Sequence, residues 1–183
     1  MNENANATDT AATGERADIL ALLADQRHNF LITMRGIDDQ QARTRTTVSE
    51  LTLGGLLKHV SHTERHWVTT ILERDETATF DMESAMEQYR MTDEETVAQL
   101  LADYDAAARA TEAAVAALDD LDLLIPLPTA PWAPERQWWT ARRVLLHILR
   151  ETSHHSGHAD IIRESLDGAN TTMQMGADAG MEF

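Results

Sequence analysis

Apolar residues recur every three to four positions along four separate stretches of about 20 residues each, and nowhere do apolar and polar residues alternate over the length of a strand. In the first stretch, about residues 15 to 34, Ile19, Leu22, Leu23, Phe30 and Met34 share one side, and Gly36 stands where a helix would stop. The second starts behind Thr52, an N-cap residue type, and aligns Leu53, Leu57, Val60, Trp67 and Ile71. The third follows Thr92-Asp93-Glu94-Glu95, a capping-box pattern, and carries Val97, Leu100, Leu101, Tyr104, Ala108, Val115 and Leu118. The fourth starts near Thr140 and ends at Asp167-Gly168, a C-terminal stop. A chain so patterned is all-α, an up-and-down four-helix bundle over residues 15–168, with long connections at 73–91 and 119–139. Its 183 residues suffice for one core and not for two. Residues 1–14 read as a disordered lead and 169–183 as a flexible tail.

Composition removes several functions. Fifteen Lys and Arg against 31 Asp and Glu leave a net charge of −16, which repels phosphate backbones and anionic membrane surfaces, so neither nucleic acid nor membrane is an expected partner. There is no cysteine, hence no thiolate ligand or cysteine nucleophile, and any thiol chemistry needs a thiol from outside. No apolar run approaches a membrane span, and the first residues do not read as a signal peptide, so the expected address is cytoplasmic.

Seven of the eight histidines fall in two segments: His59, His62 and His66 on the second helix, and His147, His154, His155 and His158 on the fourth. On the fourth helix the steps 144, 148, 151, 155, 158, 162 trace one seam, which puts Glu151, His155 and His158 where Leu or Ile belongs, with His147 on the same face. A carboxylate buried there costs several kcal/mol unless something compensates it, and a divalent cation does so well. Glu151 and His155 stand at i and i+4, about 40° apart around the helix, the spacing at which one helix offers two ligands to one ion. His59, mid-helix at the flank of its stripe, is the best third ligand. His66 is two turns further on, about 10 Å along the axis, and His62 projects away from the stripe toward solvent. Glu64 lies on the stripe and is expected to orient a ligand. The plainer alternative is a set of hydrogen-bonded core histidines and a surface Glu–His pair.

The 119–139 connection holds all four prolines and three of the four tryptophans, Trp132, Trp138 and Trp139. Prolines stiffen it, and it is expected to cover one end of the bundle and wall a substrate cavity beside the ion; otherwise it is an aromatic cap that never meets substrate.

These residues carry a family resemblance. The run from Leu51 through His59 and Glu64 to Trp67 resembles the second helix of the DinB-like, or YfiT-like, four-helix metal proteins. The run from Leu146 through Glu151, His155, Gly157, His158 and Asp160 to Glu164 resembles their fourth, and the Gly-His-Ala-Asp stretch is similar to the actinobacterial branch related to the "mini-circle" proteins. The resemblance implies a bundle, often a homodimer, with a metal on three side chains. The majority of that family has His at the position of Glu151; the His, Glu, His order is similar to that of the mycothiol-dependent maleylpyruvate isomerase branch, and it lands on His59, Glu151 and His155. His158, matched to no standard ligand, is a fourth ligand or a catalytic base. Several relatives transfer low-molecular-weight thiols such as mycothiol to electrophiles. The expected function is therefore a metal-dependent enzyme, a thiol S-transferase or isomerase, using an external thiol on a small-molecule substrate held by Trp132, Trp138 and Trp139. The alternatives are a hydrolase working through metal-bound hydroxide, and a non-enzymatic metal- or ligand-binding stress protein. Two histidines and a carboxylate suit zinc, and also nickel, iron or manganese.

Overall fold

The structure is a computed structural model that describes residues 13–181. Four long helices make the bundle: α1 (Glu15–Ile32), then, after the short α2 (Asp39–Arg43), α3 (Leu53–Glu73), and, after the short α4 (Met82–Glu87), α5 (Val97–Ala117). A two-stranded ribbon, β1 (Leu124–Pro126) and β2 (Trp138–Thr140), precedes α6 (Ala141–Asp167), the last long helix, and α7 (Thr171–Asp178) follows it. The architecture is all-α, as the periodicity predicts. Helix α1 packs on α6, α6 on α3, and α3 on α5.

The ends of the long helices are set by local chemistry. The Thr52 hydroxyl accepts from the Gly55 amide, and the Thr140 hydroxyl accepts from that of Arg143. Gly168 closes α6 with φ 82°, a left-handed position where glycine carries no Cβ penalty. The third helix differs from the sequence reading. Its capping box is Thr96 with Gln99, not Thr92 with Glu95, and Thr92–Glu95 forms a turn ahead of it, in which the Glu95 carboxylate accepts from the Thr92 amide.

Two apolar clusters fill the bundle. One gathers Phe30, Leu56, Leu57, Tyr104 and Ile162, and the other Leu23, Ile71, Val115, Leu145 and Ile148. Burying each such side chain stabilises the fold by about 2 kcal/mol. Between the two clusters in chain order every long helix contributes a buried polar residue, Arg27 on α1, Glu64 on α3, Thr111 on α5, Thr152 and His155 on α6, and His59 adds another beside them on α3. The bundle thus has a polar belt across its middle. Arg27 occupies a core position on the first helix, whereas Leu22, expected on the apolar side, is exposed.

The long connections fold onto each other. In the ribbon, Leu124 pairs with Thr140 and Pro126 with Trp138, antiparallel. Phe80 donates its amide to the Thr129 carbonyl (2.8 Å), and Thr129 donates to that of Ala78 (3.1 Å). Arg136 fastens the junction, donating to the carbonyls of Ala78 (2.9 Å) and Leu127 (2.6 Å).

The expected tail is not free over its length. Helix α7 is capped by Asn170, its first turn is held by Asp160, which accepts from the Thr171 amide (2.6 Å) and hydroxyl (2.8 Å), and its end pairs Asp178 with Arg35 (2.7 Å). The lead expected at residues 1–14 lies mostly outside the described residues.

Candidate metal centre

Helices α3 and α6 cross so that His59 from one meets Glu151 and His155 from the other, with a ligand-type atom of each within 4.8 Å of the others. His59 and His155 are buried; the Glu151 side chain keeps 22% of its surface. That difference corrects the seam. The buried line of α6 runs through Ile148, Thr152, His155, Ala159 and Ile162, so Glu151 and His158 stand on its flank rather than on it. The flank position is what lets the Glu151 carboxylate open onto a cavity.

Burial holds His59 down to about 4, aided by neighbouring His155. Burial, with His154 and His158 behind it, does the same to His155. Both imidazoles are therefore neutral near pH 7, the protonation state a metal ligand needs. For Glu151, burial acts to raise the carboxyl, but Arg150, His147 and His155 outweigh it and hold it below its usual value. A neutral–anionic–neutral donor set is the form that binds a divalent cation.

The contacts around these side chains fit an ion. The Tyr89 ring lies on His59 with centroids 4.0 Å apart, and its hydroxyl is 3.1 Å from Nε2. With Nε2–H donated to that hydroxyl, the lone pair stays on Nδ1, which is buried with no partner. An unpartnered buried imidazole nitrogen is costly alone and is a ready donor to a metal. On the other helix, His155 Nδ1 is 3.3 Å from His158 Nδ1, and its Nε2 is 3.9 Å from the Glu151 carboxylate. An Nδ1–H donated to His158 fixes the His155 tautomer and leaves its Nε2 lone pair toward the cluster.

Glu64 does not orient a ligand. It is fully buried and accepts from Arg27 (Nε to Oε2 3.1 Å, and Nη2 to Oε1) and from the Thr111 hydroxyl, so its partners are helices α1 and α5. His62 is half-buried rather than solvated and, with His66, lines the cavity. His147 lies between Trp67 and Trp139, ring centroids 4.8 and 5.4 Å away, with Nδ1 unpartnered.

The cavity has a volume of about 800 Å³, within the range of small-molecule sites. His59 and Glu151 reach it from the bundle, and the 119–139 connection walls it with Leu127, Pro128, Trp132 and Trp139. Trp138 and His158 are not part of its lining, and Trp138 is exposed. The opposite wall was not anticipated: residues 79–89, with Phe80, Met82, Met86 and Tyr89, close the cavity from the other long connection. Gly55 makes the Tyr89 placement feasible, because a Cβ there would collide with the Tyr89 carbonyl. The signal in the sequence was the group of aromatic and Met residues in an otherwise polar loop.

The mycothiol-S-transferase family model matches residues 18–168, the whole bundle with both cavity walls. The chain belongs to the mycothiol S-transferase family. Among solved structures, a conserved protein from Enterococcus faecalis shares the fold, with a TM-score of 0.62 and 18% identity over 86% of this chain and 100% of that one. No curated protein matches. Family membership puts the cluster and the cavity in a DinB-like, mycothiol-related transferase fold, in agreement with the resemblance of the α3 and α6 segments.

Proposed function

We propose that this protein is a metal-dependent transferase that joins the sulfur of a mycothiol-type thiol to a small electrophile. One observation carries the reading: in a member of a mycothiol S-transferase family, a cluster of three ligand-type side chains, one with a buried unpartnered imidazole nitrogen, adjoins a partly apolar cavity of about 800 Å³ that two of them, His59 and Glu151, line. The chain has no cysteine, so the sulfur comes from the co-substrate.

His59, Glu151 and His155 would hold the ion, which when bound supplies the positive charge that lets a thiol ionise near neutral pH. Tyr89 and His158 fix the two histidine ligands. His147, in the cavity lining beside Glu151, accepts the thiol proton. His158, off the lining, positions His155 instead of exchanging protons with substrate. The new bond is between sulfur and carbon; the leaving group departs with its electron pair or, on an unsaturated acceptor, the proton returns to the neighbouring carbon. Trp132, Trp139 and Phe80 keep water from the sulfur. Zinc, a homodimer and a cytoplasmic address are the finer expectations of this reading. No described helix is long and apolar enough to cross a membrane.

The test is steady-state turnover of a model electrophile with and without mycothiol. Saturable, thiol-dependent, chelator-sensitive turnover is expected. Thiol-independent hydrolysis would replace the reading with a hydrolase, and stoichiometric metal without either turnover would replace it with a binding protein.

A further inference from the structure

The cavity walls carry a charge bias. Asp81, Glu135 and Glu151 line it, and among the described residues no lysine or arginine does. Of the basic side chains nearby, Arg65 stands exposed beside His62, and the others are engaged by protein groups. Arg136 serves the carbonyls of Ala78 and Leu127, Arg143 lies 4.2 Å from the Trp139 ring centre, Lys58 pairs with Glu95 at 2.8 Å, and Arg150, itself exposed, pairs with Glu151 at 2.8 Å. Arg150 and an ion on the cluster would offset Glu151, which leaves Asp81 and Glu135 as the carboxylates of the outer wall, in a chain whose net charge is −16. Beyond the cluster the wall is apolar and flat. Phe80 meets Trp132 edge-on at 5.0 Å, and Trp67 stacks on Trp139 at 5.6 Å. Trp132 and Met86 leave 66% and 69% of their surface open, apolar area that a bound ligand would cover.

We propose that this cavity selects an uncharged or cationic ligand with a flat apolar body and rejects carboxylated, sulfonated or phosphorylated ones, with Phe80, Met86 and Trp132 taking the body and Asp81 and Glu135 repelling anions. It rests on the thiol-transfer reading for the ligand's role as electrophile; the charge selectivity is a property of the walls alone. Among the described residues no arginine or lysine is part of the lining, so an anionic ligand would meet the Asp81 and Glu135 carboxylates without a cationic partner in the wall.

The test is direct binding to the purified protein with its native metal, followed by quenching of tryptophan fluorescence. The probes share one ring system: the neutral N,N-dimethylnaphthalene-2-sulfonamide, the cationic 2-naphthyltrimethylammonium and the anionic naphthalene-2-sulfonate. The sulfonate is expected to bind roughly tenfold more weakly than the other two at low salt. In an Asp81→Asn, Glu135→Gln double variant the gap should narrow to about twofold; Asn still caps α4, where Asp81 accepts from the Glu83 amide, so folding is retained. Trp132→Ala should weaken all three probes by roughly tenfold with an unchanged circular-dichroism spectrum. A sulfonate that binds as tightly as the amide, or a gap untouched by the double variant, overturns the proposal. Thiol-dependent turnover measured on the same preparation reads the functional assignment separately: its absence sinks that assignment, and the probe ranking still decides the selectivity.

Discussion

Five residues apart on one helix, His59 and Glu64 are both buried polar side chains in the middle of the bundle. Glu64 has every partner it needs, in the Arg27 guanidinium and the Thr111 hydroxyl. His59 retains a buried nitrogen with none and stands at the wall of a cavity. The first arrangement is a closed network that ties α3 to α1 and α5. The second is open and adjoins Glu151 and His155, so it can take an external group. Buried polarity alone does not mark a functional site; unmet valence with access to a cavity does.

Substitution should separate the two regions. Arg27→Met strands the Glu64 charge, so unfolding stability should fall by about 3–5 kcal/mol in a denaturant titration, while the folded fraction keeps its metal. Adding Glu64→Leu removes the stranded charge and should restore most of that loss; a double variant as unstable as the single would show that the network does more than neutralise itself. Stripping the metal from wild-type protein should lower Tm by an amount equivalent to about 2–4 kcal/mol, the linkage expected of an ion held at 100 to 1,000 times its Kd. The same chelation should leave a His59→Ala variant unmoved. The smallest effect belongs to the rim: Trp132→Ala should lower kcat/KM for an aromatic electrophile by roughly tenfold, with Tm and metal content unchanged. Normal kinetics in that variant would make the loop structural.

Much of this contrast was legible in the residues. The caps at Thr52, Thr140 and Gly168 are local signals, and the i, i+4 pair Glu151 and His155 with His59 could be selected from helical periodicity. The fate of Glu64 was not, because its partner Arg27 lies 37 positions away on a helix whose apolar stripe gives no hint of a buried cation. Tyr89 was hidden for the same reason: its contact with His59 depends on two glycines that let the 79–91 connection close on α3. The ribbon strands, three residues each, are too short to show alternation, and α7 is built from Thr, Met, Gln, Gly, Ala and Asp, a composition that also suits a loose tail. Local propensity thus read the bundle well and the long-range polar pairing poorly.

The central claim is that His59, Glu151 and His155 hold one divalent ion at the cavity wall. Element analysis of untagged protein purified without added metal tests it most directly, with His155→Ala prepared in parallel. One equivalent of a divalent metal per wild-type chain is expected, and none in a folded His155→Ala chain. Full occupancy in that variant, or a metal-free wild type that cannot be loaded to one equivalent, would contradict it.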